Sequence, residues 1–218
     1  MKNKRFNRFV KRRVKSLRYA SLRKKTGWVF VAAVFLLVSV ILPTMQQTQN
    51  IDADRLLDTI AAAESKSNYN AYFGNPQNTS VQFTSMTVGE VLLWQEKFVQ
   101  QGSPSSAVGR YQFIDTTLKG LVEQTDVKDT DVFDKDLQDK LAFELLERRG
   151  IREYVDEKID RETFAHNLSK EWAGLPKVLG DNPQQSYYAN DGLNKAQVEI
   201  DEVLEAIDTV REIDKTAE

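Results

Sequence analysis

The chain of 218 residues contains no cysteine and only one histidine, and both absences narrow its chemistry. Without cysteine it can form neither a disulfide framework nor a metal site built from thiolates. A single histidine, His166, argues against a zinc site of several histidines and against a serine-histidine-aspartate triad. An enzyme of this composition has to rely on carboxylates and hydroxyls, and we expect neither a metal nor a cofactor.

Charge is divided unevenly along the chain. Residues 1–25 contain twelve Lys and Arg side chains, and the first acidic residue is Asp52. Residues 26–218 contain the other 18 basic residues and all 32 acidic ones, so their net charge is about −14. Twelve like charges can bind nucleic acid, but they also suit the cytoplasmic face of a membrane with its anionic lipid head groups. We favour the membrane and expect no nucleic acid partner.

An uncharged apolar run at 27–43 follows the basic residues. Its length is at the short end of what crosses a bilayer. The basic flank predicts an amino terminus in the cytoplasm and an acidic domain in the periplasm or on the outer face. The run also fits the core of a signal peptide, but Pro43 and the residues after it offer no small-residue cleavage site. We therefore predict an uncleaved, single-pass anchor in the inner membrane.

These patterns divide the chain into five parts. They are a basic cytoplasmic tail at 1–26, a transmembrane signal anchor at 27–43, a polar linker at 44–51, a folded domain at 52–212 and a short tail at 213–218.

The predicted domain is mainly helical. Apolar residues recur at helical spacing in 52–64, 88–100, 113–124, 134–149, 161–173 and 192–212. We expect Asn50 or Asp52 to cap the first helix, and the order Thr87-x-x-Glu90 predicts a capping box at the second. No run with strand periodicity competes, so the fold class is mainly α.

Glu64 closes the apolar face of the first predicted helix. It stands seven residues after Leu57, in line with Ile60 and Ala61. Burial on such a face disfavours the ionised form and raises a carboxyl pKa, which lets a glutamate donate a proton near neutral pH. Periodicity alone also allows a glutamate that marks the end of a helix rising to the surface.

A second segment, 105–113, supports a role for Glu64. Small residues and Gly109 precede Arg110-Tyr111-Gln112, and they allow the backbone to approach a ligand closely. Gln112 offers both a donor and an acceptor, as carbohydrate hydroxyl and N-acetyl groups require. Taken in isolation, the segment is more typical of a glycine-containing turn between two helices.

Three segments in order resemble the lytic transglycosylases of the bacteriophage lambda endolysin type, within the lysozyme-like superfamily. They are Glu64 near the end of a first helix, Ser-x-x-x-Gly-Arg-Tyr-Gln-Phe at 105–113, and Trp-Ala-Gly-Leu-Pro at 172–176. The resemblance covers about 52–210, without the basic tail or the apolar run. It implies an α+β lysozyme-like fold, peptidoglycan as substrate, Glu64 as the single catalytic acid and base, and Gln112 in the sugar-binding groove.

The resemblance further implies cleavage of the MurNAc–GlcNAc β-1,4 linkage that leaves a 1,6-anhydroMurNAc end. Between Glu64 and Gln112 the only other acids are Glu90 and Glu96, both on a predicted helix. Asp115 could instead approach the cleft and serve a muramidase hydrolase with two carboxyl groups. A non-catalytic module that binds glycan in the envelope is the third alternative. Host or phage origin and a partner complex stay open.

Four aromatic side chains are further candidates for contact with sugar. Tyr187 and Tyr188 resemble an aromatic pair near the C-terminal end of related transglycosylase domains, whereas Tyr111 and Trp172 belong to the matching segments. Each has an alternative role in the core, and a tryptophan at a helix end commonly anchors packing. The Asp-rich stretch at 126–139 lacks the glycine of a calcium loop, so a solvated surface is the favoured interpretation there.

Overall fold

The computed structural model describes residues 51–213, which form seven α-helices and one two-stranded antiparallel sheet. In chain order the elements are β1 (Ile51–Asp52), α1 (Asp54–Ser65), α2 (Val88–Gln100), α3 (Asp115–Gln124), α4 (Lys135–Arg149), α5 (Ile151–Val155), α6 (Arg161–Ser169), α7 (Ile200–Ile207) and β2 (Arg211–Glu212). Single 3-10 turns lie at Phe83–Ser85 and Ala189–Asp191. The predicted mainly helical domain is thus confirmed.

Helix α1 lies at the centre of the packing, where it contacts both α4 and α7. Helix α6 packs in turn against α4 and α7, and α2 packs against α3. The core residues of these helices include Leu56, Ile60, Leu118, Leu141, Leu145, Leu146, Phe164, Leu168, Val203 and Ile207, all of them buried. Because α1 is enclosed along one face, its C-terminal end has a fixed place beside the loops that follow α2 and α6.

The predicted capping box is present at the start of α2. The backbone N–H of Glu90 donates to Thr87 Oγ1 at 3.2 Å, and the Thr87 N–H donates to Glu90 Oε2 at 2.8 Å. These two bonds satisfy amide groups that have no partner inside the helix.

The start of α1 differs from the prediction. Its N-cap is Ala53, which has no side-chain cap, although Asp52 Oδ1 does accept from the Asp54 N–H at 3.3 Å. Asp52 is held instead in β1, where it pairs with Arg211 of β2 and forms an ion pair with it at 2.7 Å. Two-residue strands are too short to show a period of two, so this sheet had no sequence signal.

The last predicted helix, 192–212, was too long at both ends. Gly192 adopts a left-handed φ of 76°, and the Asp191 carboxylate accepts from the backbone N–H groups of Leu193 and Asn194. These bonds form a turn where the apolar stripe predicted a helix. Leu193, counted on that stripe, is 52% exposed.

The predicted basic tail at 1–26, the anchor at 27–43 and nearly all of the linker at 44–51 lie outside the described residues, as does the C-terminal tail beyond Ile213. Within residues 51–213, no helix combines the length and apolar character needed to cross a membrane. The anchor at 27–43 therefore stays a prediction.

Ile60→Ala should destabilise the domain strongly, because Ile60 is fully buried in α1. We expect a loss of about 2–5 kcal/mol in the free energy of unfolding, against about 0.5–1.5 kcal/mol for Ile60→Val, which removes a single methyl group. Urea unfolding of the two variants checks this. Equal losses for both would contradict the tight packing of this position.

Candidate active site

A cleft of about 780 Å³ opens beside the C-terminal end of α1. Glu64 lines it from α1, and three other stretches complete the walls. They are the loop at 72–76, the segment at 104–114 with Thr117, and the chain after α6, which contributes residues at 171–174 and 188–197; Leu145 of α4 lies among them. All three sequence segments that carried the resemblance therefore meet at one cleft.

The Glu64 carboxyl group is partly buried at this cleft and has one backbone partner. The Gly174 N–H donates to Glu64 Oε1 at 2.7 Å. Burial raises the pKa of Glu64 from 4.5 to about 7, although the Gly174 hydrogen bond lowers it. A carboxyl group with a pKa near neutrality can both donate and accept a proton at physiological pH, as a general acid and base must.

Gly174 approaches Glu64 so closely that a side chain at this position would crowd the Glu64 carboxyl group. A Cβ atom at position 174 would lie 3.0 Å from Glu64 Oε1 and 3.2 Å from the carbonyl group of Ala63. On its other side, the Gly174 carbonyl accepts from the Gln197 N–H at 2.8 Å. The glycine thus joins the end of α1 to the segment that precedes α7.

The segment at 105–113 forms a tight turn along the cleft wall. Val108 and Phe113 exchange backbone hydrogen bonds at 3.1 and 2.8 Å, and Gly109 turns the chain with a φ of 79°. The buried Gln95 of α2 holds both ends of the turn, because its Nε2 donates to the carbonyls of Ser106 and Phe113 at 2.8 Å each. Gln112, at a φ of 50°, lines the cleft, and its Nε2 donates to Gly109 O at 2.9 Å.

Arg110 and Tyr111 are bound into a polar network on the inner side of this turn. Arg110 donates to Tyr69 Oη at 2.7 Å and forms ion pairs with Asp58 and Asp139. Tyr111 Oη donates to Asp139 Oδ1 at 2.7 Å. Burial, followed by this bond, raises the pKa of Tyr111, so the phenol stays protonated.

The same turn is tied to the helix that carries Glu64. Ser65, the residue directly after Glu64, donates from its Oγ to Arg110 O at 2.6 Å. Only 1% of Tyr111 is exposed although it contributes to the cleft wall. The Arg110-Tyr111 part of the motif therefore supports the end of α1, while Gln112 stays accessible at the cleft.

The other predicted aromatics occupy different positions. Trp172 lines the cleft but is only 2% exposed, and Tyr188 lines it with 38% exposure. Tyr187 is not among the lining residues. Its ring contacts those of Tyr188 and His166, with centroids 5.2 and 6.0 Å apart. Tyr72 and Phe73, from the polar loop after α1, also line the cleft.

Within residues 51–213, two carboxylates besides Glu64 line the cleft, and each already has a partner. Glu171 forms an ion pair with Arg149 at 2.7 Å, and Asp191 accepts from two backbone N–H groups in its own turn. Asp115, the acid that sequence reasoning considered, is not a lining residue. Burial raises the pKa of Asp115, but Ser106 Oγ, which donates to it at 2.8 Å, and Lys119, which contacts it at 3.2 Å, lower the pKa more, so the net shift is downward.

Sequence reasoning missed the contributions of Arg149, Glu171 and Gly174. Gly174 lies inside the recognised Trp-Ala-Gly-Leu-Pro segment, so that motif could have pointed to it. The pair of Arg149 and Glu171 has no local signal, because the two residues are 22 positions apart. Within 51–213, no group of three or more His, Asp and Glu side chains is arranged to hold a metal ion.

The residues that form the cleft lie within a region that matches a known protein family. A family model for endolysins matches residues 54–199, a range that includes Glu64, Gln112 and Gly174. The chain belongs to the endolysin family. Endolysins are phage enzymes that cleave the bacterial cell wall, so this endolysin acts on peptidoglycan. Neither a curated protein nor a solved structure matches the chain.

Glu64→Gln should stabilise this endolysin above neutral pH. The pKa of Glu64 is about 7 in the folded state and 4.5 in the unfolded state. Between pH 4.5 and about pH 7, the folded state therefore keeps a proton that the unfolded state releases. Stability therefore falls as pH rises through this window, and below it both states are protonated. Glutamine keeps an oxygen for the Gly174 N–H but carries no charge.

The expected gain in free energy of unfolding is about 2 kcal/mol near pH 8 and close to zero near pH 4, as urea unfolding would measure. Asp115→Asn is the contrasting variant, since the Asp115 pKa is lowered and its ionised form stabilises the fold. A Glu64→Gln gain that is equal at both pH values would contradict the raised pKa.

Proposed function

We propose that this endolysin is a lytic transglycosylase that cleaves the MurNAc–GlcNAc β-1,4 linkage and leaves a 1,6-anhydroMurNAc end. The observation that carries the proposal is the Glu64 carboxyl group, half-buried at the cleft, with its pKa raised to about 7. The other two cleft acids are engaged by Arg149 and by backbone amides. A single acid and base is what this reaction requires.

In the first step, Glu64 donates its proton to the glycosidic oxygen as the bond to the MurNAc anomeric carbon breaks. The Gly174 N–H donates to Oε1, so the transferable proton belongs on Oε2. Positive charge then develops on the anomeric carbon, and the newly formed carboxylate stabilises it.

In the second step, the MurNAc 6-hydroxyl attacks the anomeric carbon and gives its proton to the Glu64 carboxylate. The glutamate returns to its starting form, and the sugar closes into the 1,6-anhydro ring. The hydrogen bond from Gly174 favours the carboxylate, while burial favours the acid, so neither form is trapped.

We further propose that the glycan strand contacts Gln112 and Tyr188, with Trp172 and Tyr111 forming the floor beneath the sugar. Gln112 and Tyr188 line the cleft and are accessible, whereas Trp172 and Tyr111 are nearly enclosed. A bound sugar ring would meet amide and hydroxyl groups together with flat apolar surfaces, the combination that carbohydrates need. Tyr187 would reach the glycan only at the margin, beside Tyr188.

A muramidase hydrolase is the second candidate, because Glu171 also lines the cleft. As a base it would have to activate a water molecule, yet its side chain is 7% exposed and paired with Arg149. We favour the transglycosylase on this ground. A non-catalytic glycan-binding module fits less well with a carboxyl pKa near neutrality.

Glu64→Gln should abolish lysis, because glutamine cannot donate or accept the proton. We expect turbidity loss of purified sacculi to slow by at least about a hundredfold, while Asp115→Asn should retain the wild-type rate. Undiminished lysis by Glu64→Gln would end the proposal. Mass spectrometry of muropeptides released by the wild type should find anhydro ends, and reducing ends would assign the hydrolase instead.

We also propose that the chain is anchored in the inner membrane through residues 27–43, with its amino terminus in the cytoplasm and the cleft domain in the periplasm. The basic residues before this apolar run and the acidic composition after it support that orientation. The proposal rests on the sequence alone.

Replacing Leu36 and Leu37 by arginine tests the anchor, because each charge at the centre of a span costs about 2.5–3.5 kcal/mol of insertion. The wild-type chain should stay in the membrane pellet after an alkaline carbonate wash, and the double variant should move to the supernatant. Recovery of the wild-type chain in the supernatant would overturn the anchor.

A further inference from the structure

An ion pair between Arg149 and Glu171 lies at the wall of the cleft. Arg149 Nε and Nη2 both approach Glu171 Oε2, at 2.8 and 2.7 Å. Arg149 is the last residue of α4, and Glu171 follows α6 by two positions. The Glu171 side chain is 7% exposed and that of Arg149 27%, so the pair is largely removed from water.

The pair belongs to a clamp on the segment that leads to Gly174. Arg149 Nη2 also donates to the Lys170 carbonyl at 3.3 Å, and Tyr188 Oη donates to the same oxygen at 2.7 Å. Donors from α4 and from the 186–191 turn therefore hold the backbone at 170–171 from two sides.

Between this clamp and Glu64 the chain has little freedom. The Trp172 N–H donates to Leu168 O at 3.0 Å, and the Leu175 N–H donates to Trp172 O at 3.1 Å. Trp172 itself is nearly enclosed in the core. A displacement at residue 171 would thus be transmitted to Gly174, three residues further on, and to its N–H.

We propose that Arg149 and Glu171 are a positioning pair for the reaction, which holds residues 170–174 so that the Gly174 N–H meets Glu64. This inference rests on the proposed function. A partly buried ion pair stabilises a fold only weakly, because desolvation offsets the attraction between its charges. The pair matters here for its geometry: Arg149 Nε and Nη2 converge on one Glu171 oxygen while Nη2 also reaches the Lys170 carbonyl, so a single guanidinium fixes residues 170 and 171 together.

Other titratable groups line the same cleft, but none of them sets the pKa of Glu64. The cleft is also lined by Lys66, Tyr72, Tyr111, Glu171, Tyr188, Asp191 and Lys195. The shifted pKa of Glu64 has two causes, burial and the Gly174 hydrogen bond, and none of these side chains is among them. A change in the pH profile in a variant that removes both Arg149 and Glu171 charges would therefore have to act through the burial of Glu64 or through the Gly174 hydrogen bond.

The test uses Arg149→Met in the full-length chain, with soluble peptidoglycan strands as substrate. We expect kcat to fall by about ten- to a hundredfold, since small misplacements of reacting groups have effects of this size. Loss of the Gly174 hydrogen bond should raise the Glu64 pKa, so the alkaline limb of the kcat/KM profile should move to higher pH.

Because Arg149→Met leaves Glu171 without its partner, that variant is paired with Arg149→Met/Glu171→Gln, which removes both charges. The double variant should fold stably and show the same two changes in kcat and pH profile. Arg149→Lys, which keeps the charge but not the paired donors, should recover part of kcat.

The matched control is Arg152→Met. Arg152 lies three residues further on and forms a comparable half-buried ion pair with Glu147, away from the cleft. This variant should change thermal stability without moving the pH profile.

A double variant with wild-type kcat, or with an alkaline limb that stays in place or moves to lower pH, would overturn the positioning role. That result would leave the proposed function intact as long as Glu64→Gln is inactive. If Glu64→Gln is active instead, the proposed function itself fails.

Discussion

The hydrogen bond between the Gly174 N–H and Glu64 organises the cleft, because it joins two parts of the chain that are 110 residues apart. Burial alone would hold the Glu64 carboxyl group in its neutral form. The Gly174 hydrogen bond lowers its pKa again, so that it stays near 7. The absence of a side chain at position 174 lets the backbone approach the carboxyl group without crowding it. The surrounding elements can be understood by how they support one end or the other of this bond.

The glutamate end depends on α1 and on the turn at 105–113. Helix α1 is fixed by its packing against α4 and α7, and Ser65 ties its last turn to Arg110. The hydrogen-bond network of Arg110, Tyr69 and Asp139 holds that turn in place. Tyr111, which sequence reasoning considered for sugar contact, thus supports the end of α1 that carries Glu64, and Gln112 is the residue of this turn that stays accessible at the cleft.

Local patterns predicted the local features well. Helical periodicity brought Glu64 to an inward face, and Thr87-x-x-Glu90 gave the start of α2, because both depend on residues within one or two turns. The errors arose where distant residues decide the structure. Asp191 and Gly192 turn the chain where an apolar stripe continued, and the β1–β2 pair joins residues some 160 positions apart. Likewise, the partner of Glu171 could not be read from its neighbours.

Under the proposed mechanism, the separation of Glu64 from Gly174 along the chain also affects when this endolysin can act. Before the segment after α6 has docked beside the end of α1, Glu64 lacks its Gly174 partner and part of the enclosure that raises its pKa, so it would be ionised at neutral pH. The proposed acid would therefore be competent only in a molecule whose segment after α6 has docked, and a molecule in which it is undocked would leave the wall intact.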